Sequence, residues 1–508
     1  MALKIGISGL RGTVAQTEPG LTPDVALAWT RAFATLIQAE HGAGARIALG
    51  RDGRLSSPMV SNIARAALQS GGARVVDLGL TLTPTVQHAI ASDPALSGGV
   101  MVTASHNPAA WNGLKFLDAQ GRLLSIEGWA ELEAIIAAGR YRTVALDQLF
   151  PVASGENGAW QRHSSAILSS LPVAQIRQRR LRVAFDACNS GAIRWQELFS
   201  ELGCETIAVH TELTGFFARE PEPLPQYLGT LAHLVRATNC DVGLAADPDG
   251  DRLVLVDERG EPVSEEHTVV LCARERLAAG AGDTVVVNIV TTHAIEEAFP
   301  QARVLRTAVG EMNVVAGVLS VPHPALGGEG SGGIIVPGVN LARDGAAAAG
   351  LILSLLARTN QPLSALVAEI PAWTSAKSRL AVIEGSSEST RSLFTAWQRQ
   401  PPDITVRSVS NGSELYAASA EGRLRLQMTR ATLRLRVDLT NGHSLVATGA
   451  SAGVAEIFTT LPTSIRGDQT SLVDGLKVWG AESWLSLRPS NTEPILRVMG
   501  EIRRQSRQ

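Results

Sequence analysis

Three carboxylates in alternate positions, in Asp247-Pro-Asp-Gly-Asp-Arg252, are the densest cluster of chemistry in the chain. On an extended segment side chains at i, i+2 and i+4 fall on one side, and oxygen ligands grouped in that way suit a hard divalent cation. The same residues also read as a solvated acidic turn, since proline and glycine beside aspartate are ordinary turn chemistry. The spacing imitates an EF-hand, with Glu258 at the twelfth loop position. That reading fails because Arg252 stands where such a loop needs glycine, and because Leu253-Val-Leu-Val256 continues as a strand where a helix is required. A metal loop between two strands is expected.

Three further segments carry reactive or recognising groups. Thr103-Ala-Ser-His-Asn-Pro108 sets the Ser105 hydroxyl at a strand end with His106 beside it. Serine becomes a nucleophile only when a neighbour or its environment activates it, and the alternative is that Ser105 caps a turn. In Gly327-Gly-Glu-Gly-Ser-Gly-Gly333 the glycines let backbone approach a ligand, and Glu329 can accept hydrogen bonds from sugar hydroxyls. A flexible turn is the other reading. Arg488-Pro-Ser-Asn-Thr-Glu-Pro494 joins a planar guanidinium to two hydroxyls and an amide, a combination fit to cradle phosphate or to form a stiff surface turn.

These loops need elements to hold them. A β-rich apolar run opens three successive segments, at Arg46 to Gly50, Leu181 to Phe185 and Thr284 to Asn288. Each is followed by a helix-compatible stretch and a second strand, at Ala73 to Asp77, Glu205 to Val209 and Ala302 to Arg306. A third run then leads into one special loop per repeat: Gly99 to Thr103 before Ser105, Asp241 to Ala245 before Asp247, and Pro324 to Leu326 before the glycine-rich loop. In α/β sheets ligands gather beyond the carboxyl ends of strands, so three such loops are expected to converge on one cleft. A fourth region begins near Ser378, and its stretches Arg423 to Met428 and Leu433 to Leu439 alternate apolar and polar residues. With a hairpin signal at Asn441-Gly442, the region reads as β-rich.

At 508 residues the chain has room for three or four domains. Its formal net charge of −3 supplies no basic field for nucleic acid or anionic membrane, so an anion must be met by local arginines. The first residues lack a signal-peptide apolar core and no apolar run reaches spanning length, which predicts a cytoplasmic protein. Cys188, Cys204, Cys240 and Cys272 are too scattered for a disulfide framework and read as free thiols.

In this order the four loops resemble those of the α-D-phosphohexomutase family, which carries T-A-S-H-N-P, D-G-D-R, G-E-x-S-G and R-x-S-x-T motifs. The resemblance runs from Gly6-Ile-Ser-Gly-Leu-Arg-Gly12 to Arg497-Val498 and includes Gly50-Arg-Asp-Gly-Arg-Leu-Ser-Ser57, Asn112-Gly-Leu-Lys115 and Asp474-Gly-Leu-Lys477. It implies three related α/β domains with mixed sheets, at 1–155, 156–262 and 263–372, plus a smaller α+β C-terminal lid at 373–508, all around a central cleft. It implies that Ser105 is a phosphoserine, and that Asp247, Asp249 and Asp251 hold one Mg²⁺ per chain against its phosphate. Arg252, Lys115 and Arg11 would complete the reactive end, Glu329 and Ser331 would bind sugar hydroxyls, and Arg488, Ser490, Asn491 and Thr492 would hold the other phosphate. A hexose 1,6-bisphosphate would serve as intermediate and activator.

The sequence departs from the family pattern in places. Gly333 stands where many members have histidine, which leaves Lys115 or His106 for acid–base work, and the span from Pro401 to Leu472 is longer than expected. The expected reaction interconverts a hexose 6-phosphate and 1-phosphate, with Val309-Gly-Glu-Met-Asn-Val314 and Gly328 to Gly333 closest to the archaeal-type phosphoglucosamine mutases. Phosphomannose and phosphoglucose are the alternative substrates. A metal-dependent phosphatase should carry further His and Asp ligands, and a non-catalytic sensor could have lost the serine or the aspartates. Oligomeric state is left open.

Overall fold

The structure, a computed structural model, describes residues 3–6, 8–14, 20–152, 158–409, 412–429, 431–441, 443–451, 454, 457, 460–465, 469–490 and 495–504. The first sheet contains β1 (Lys4–Gly6), β2 (Gly9–Thr13), β3 (Arg46–Arg51), β4 (Arg74–Leu80), β5 (Leu96–Val102) and β6 (Trp111–Leu117), in the order β1-β2-β6-β5-β3-β4. The second contains β7 (Arg182–Asp186), β8 (Glu205–Val209), β9 (Val242–Ala246) and β10 (Leu253–Val256), in the order β10-β9-β7-β8. The third contains β11 (Thr284–Asn288), β12 (Arg303–Thr307), β13 (Pro324–Glu329) and β14 (Gly333–Ile335), in the order β12-β11-β13-β14.

One pattern recurs in all three. The opening strand pairs in parallel with the third, β3 with β5, β7 with β9 and β11 with β13, and the third pairs antiparallel with a return strand, β6, β10 or β14. The special loops are the turns between third and return strands. Continuous apolar sequence is what such strands require, because sheets covered on both faces bury every residue, and β9, β10 and β11 are buried along their whole length. Helix Pro23–His41 is capped by Thr22, whose hydroxyl accepts from Val25 N at 3.2 Å, and it lays Phe33 on Phe116 of β6. The third strand of the last repeat runs further than its sequence indicates. Gly327, Gly328 and Glu329 belong to β13, so the glycine-rich loop is a tight hairpin over Gly330, Ser331 and Gly332.

The chain forms two compact units, one of Met1–Val287, Ala302–Leu305 and Gly310–Glu369, the other of Asn288–Gln301, Arg306–Val309 and Ile370–Gln508. The second unit is built on an eleven-stranded sheet in which Trp373–Gly385 lies between Ser444–Ala450 and Ile495–Arg503. The extra length after Pro401 is an antiparallel meander from Asp403–Val409 to Ser444–Ala450. Alternation holds there, since Gly422–Met428 and Thr432–Leu439 bury every second side chain. Their inward residues pack with Leu393, Phe394 and Trp397 of helix Ser387–Arg399. Asn441 lies in the turn that joins Thr432–Leu439 to Ser444–Ala450, and Gly442 is outside the described residues. Among the described residues no helix is long and apolar enough to cross a membrane.

Candidate active site

The serine loop is held from behind by Asp52 and Arg54, both buried, on the segment after β3. Asp52 accepts from Thr103 Oγ1 at 2.7 Å, and Thr103 Oγ1 accepts in turn from Ser105 N at 2.9 Å. Arg54 donates to Asp52 at 2.9 Å, to the carbonyls of Pro108, Asn107 and Trp111 at 2.7, 2.8 and 3.1 Å, and to that of Ser105. Within this frame Ser105 adopts φ +51°, a left-handed conformation that costs a side-chain-bearing residue about 1 kcal/mol. Its hydroxyl lies 3.3 Å from His106 Nδ1 and 3.4 Å from Asp247 Oδ2.

The three aspartates come together, though a turn and not an extended segment does it. Gly250 has φ +69°, and Asp247 Oδ1 accepts from the backbone of Asp251 and Arg252 at 3.0 and 3.2 Å. All three are buried, with one carboxylate oxygen from each lying within 4.8 Å of the others. Ser190 ties this loop to the serine side, accepting from Gly53 N at 2.8 Å and donating to Pro248 O at 2.5 Å. Thr83 donates to Asp249 Oδ2 at 2.6 Å, and Lys115 Nζ on β6 reaches Asp249 and Asp251 at 2.6 and 3.3 Å. The far oxygens, Asp249 Oδ1 and Asp251 Oδ1, accept no hydrogen bond among the described residues. Asp247 Oδ2 points at Ser105. A buried carboxylate oxygen without a donor is costly in a protein that binds nothing there, so the donor set fits a divalent cation beside the serine.

Glu329, at the end of β13, accepts from Gly310 N at 3.1 Å and from Arg343 Nη1 at 3.0 Å. Ser331 is half-buried at the hairpin tip. Arg343 also donates to Asp251 at 2.7 Å and to buried Glu311 at 3.2 Å, while Gln87 donates to Glu311 at 3.0 Å. Arg343 and Thr83 belong to no recognised motif and were invisible in sequence. Glu311, Asp52 and Arg54 lie in segments that matched the family without a role attached.

Electrostatics separates the groups. Burial pushes Asp247 well above the usual carboxylate range, reinforced by Asp251 and Asp249. Burial also opposes charge on Asp249 and Asp251, but Lys115 and Thr83 outweigh it at the first, and Arg343, Lys115 and Arg252 at the second, so both are held below the ordinary value. Lys115 is correspondingly raised despite its burial. Burial, then Arg252 and Arg11, push His106 well below 6.5, and its Nδ1 accepts from Arg252 at 2.9 Å. His106 is therefore neutral and Lys115 charged. Arg11 lies 3.4 Å from Asn107 Oδ1 in the serine loop, and Arg252 reaches Glu222 at 3.2 Å.

In the second unit, Arg488 ends strand Ser483–Pro489 with Nη1 3.5 Å from Asp474 Oδ2, and its Nε has no hydrogen-bond partner among the described residues. Ser490 is buried, and its N–H donates to Ile495 O at 2.9 Å. Asn491 and Thr492 lie outside the described residues.

Residues 2–143, 161–260 and 264–373 match, in turn, the alpha/beta/alpha domains I, II and III of phosphoglucomutase/phosphomannomutase. A probable phosphoglucosamine mutase of Methanopyrus kandleri is 30% identical over 511 residues, covering 100% of this chain and 95% of the relative. A phosphoglucomutase/phosphomannomutase of Thermococcus kodakarensis is 32% identical over 383 residues, covering 75% and 82%. A crystal structure of a phosphoglucomutase/phosphomannomutase family protein from Burkholderia thailandensis shares the fold, with a TM-score of 0.73 at 23% identity over 98% of this chain and 93% of that one. The chain belongs to the α-D-phosphohexomutase family, enzymes that transfer phosphate within a sugar phosphate.

Proposed function

We propose that this enzyme is a phosphoglucosamine mutase, interconverting glucosamine 6-phosphate and glucosamine 1-phosphate through phosphorylated Ser105. The observation that carries the reading is the Ser105 hydroxyl 3.4 Å from Asp247, at an aspartate cluster with open oxygens. A free sugar hydroxyl attacks the phosphoserine, the phosphorus–Oγ bond breaks, the hydroxyl proton ends on Ser105 Oγ, and a hexose 1,6-bisphosphate forms. After the bisphosphate turns over, its other phosphate returns to Ser105. One Mg²⁺ per chain, held by Asp247, Asp249, Asp251 and the Ser105 phosphate, would supply charge neutralisation. Lys115, Arg11 and Arg252 add fixed positive charge. Phosphoryl transfer through a loose transition state asks mainly for alignment and charge, so neutral His106 and charged Lys115 suffice without a strong base.

In the same reading Glu329 and Ser331 hold sugar hydroxyls, and Arg488, Ser490, Asn491 and Thr492 hold the phosphate that is not transferred. The four-part division 1–155, 156–262, 263–372 and 373–508 gives each loop its own domain. The four free cysteines support a cytoplasmic setting. A phosphatase is disfavoured because, among the described residues, no second cluster of three metal-ligating side chains accompanies the aspartates. Glucosamine phosphate is favoured by the relative matched along 100% of this chain, and a phosphoglucose or phosphomannose substrate is the second reading, favoured by the Thermococcus relative. Coupled assays with glucosamine, glucose and mannose phosphates test the choice. A kcat/KM higher for glucose or mannose phosphate would overturn the substrate, and unphosphorylated Ser105 in active enzyme would overturn the mechanism.

A further inference from the structure

We infer that Arg343 is a positioning residue for the transfer reaction, joining the sugar loop to the aspartate loop, and that Gly333 is the residue that leaves it room. Arg343 follows β14 and immediately precedes Asp344, whose side chain caps helix Gly345–Thr359 by accepting from Ala347 N at 3.0 Å. That stretch is fixed on both sides. His163 Nε2 lies 2.6 Å from Asp344 Oδ2, Asp344 N donates to Ile334 O at 2.7 Å, and Gly345 N donates to Gly250 O of the aspartate loop at 3.1 Å.

From this anchor the guanidinium commits a separate nitrogen to each of three carboxylates. Nη2 goes to Asp251 Oδ2, Nη1 to Glu329 Oε2 and Nε to Glu311 Oε2, at 2.7, 3.0 and 3.2 Å. Each bond fixes one oxygen and so aims the other. Asp251 Oδ1 accepts no hydrogen bond among the described residues and lies 3.7 Å from Arg252 Nε, and Glu329 is held on its far side by Gly310 N. A planar fork can make these three contacts together, whereas an ammonium is a point charge with no matching geometry.

Gly333 controls the path. A Cβ there would stand 2.4 Å from Arg343 Cδ, closer than carbon atoms approach, and a tight 3.1 Å from its Cγ, and the contact falls on the middle of the side chain, so rotating the tip cannot relieve it. A side chain at 333 and the observed Arg343 conformer exclude one another. The departure from the family pattern at Gly333 is thereby paired with an arginine ten positions on.

The inference rests on the reading of Glu329 as a sugar acceptor for its effect on KM, but not for its effect on the aspartates. The test is a double-mutant cycle with Arg343→Ala, Gly333→Ala and the pair, alongside Arg343→Lys and Glu329→Gln. Measured for each are KM and kcat with the sugar phosphate that the wild type turns over best, the Mg²⁺ concentration for half-maximal activity, and Tm. Arg343→Ala should raise both KM and the Mg²⁺ requirement by about tenfold or more, as loss of a residue orienting metal ligands does. Arg343→Lys should recover only part of this. Gly333→Ala should move the same quantities in the same direction, and the double variant should match Arg343→Ala instead of multiplying the losses. Should Gly333→Ala fail to fold, the double variant, which lacks the clash, should fold. A merely structural Arg343 would lower Tm and leave KM and the Mg²⁺ requirement unchanged; that result, or multiplying losses, overturns the inference. Unchanged KM in Glu329→Gln would instead overturn the sugar-loop reading, with the Mg²⁺ measurement still deciding for or against Arg343.

Discussion

The aspartate loop of the first unit and the arginine loop of the second hold their charges in opposite ways. Asp247, Asp249 and Asp251 are wholly buried, and Lys115, Arg343, Thr83 and backbone N–H groups grip one oxygen of each carboxylate, while Oδ1 of Asp249 and of Asp251 accepts no hydrogen bond among the described residues. Among the described residues Arg488 has a loose partner in Asp474, at 3.5 Å, and an Nε without a hydrogen bond. A centre that must align a transferring group cannot rearrange in each cycle, so its orientation is set in advance by neighbours. A guanidinium that is to take a phosphate does better with its donors uncommitted, because every internal bond would have to break first.

Four experiments break or sharpen this contrast. The largest effect is expected from Ser105→Ala, which removes the proposed carrier: turnover should fall on the order of 10⁴-fold or more while sugar phosphate still binds. Intact-mass measurement should find the phosphate lost, and full activity in this variant would remove the first region from the chemistry. Asp249→Asn comes next, with a loss on the order of 10²-fold because it deletes a buried ligand charge opposite Lys115. A chelator should reproduce that loss without unfolding the protein, and if activity survives both treatments the three aspartates are only a turn.

Arg488→Lys keeps the charge and loses the fork. Affinity for both the 1-phosphate and the 6-phosphate should drop about 10- to 100-fold, equivalent to about 1.5–3 kcal/mol for a hydrogen bond to a charged group. A defect confined to one isomer would contradict a shared cradle. The smallest effect concerns charge burial without adequate compensation. Burial and His163 lower His88 to about 4 from 6.5, against a weaker opposing pull from Asp344. As pH falls below 6.5 the unfolded chain takes up this proton first, so stability present at neutral pH is lost progressively down to about 4. The term should be about 2 kcal/mol after allowing for partial solvent access, read as the extra acid slope of Tm in wild type over His88→Gln.

Much of this arrangement was legible in the sequence, and its gaps have physical causes. The three repeats could be read because strands covered on both faces must be continuously apolar, and Thr284–Asn288 and Leu253–Val256 match their expected bounds. Gly327 and Gly328 misled because glycine signals a loop locally, yet here the strand needs them small: a Cβ would meet Val318 at 2.8 Å or Val269 at 2.6 Å. The aspartates were grouped correctly for a mistaken reason, since the left-handed Gly250 and not strand alternation brings them together. Arg343 left no trace in sequence because its importance comes from three carboxylates supplied by three separate segments. The long meander showed its alternation clearly, but alternation alone does not say how many strands join one sheet.

Arg54 carries a consequence for repeatability. In the proposed reaction, with two transfers, the same oxygen would be used twice, first as leaving group and then as attacking group, with a tumbling intermediate between. By bonding to the carbonyls of Ser105, Asn107, Pro108 and Trp111, one side chain holds the loop backbone like a jig. In that reaction the oxygen would be in the same place when the second phosphate arrives, however long the intermediate took to turn, and memory of position would reside in the scaffold and not in the ligand.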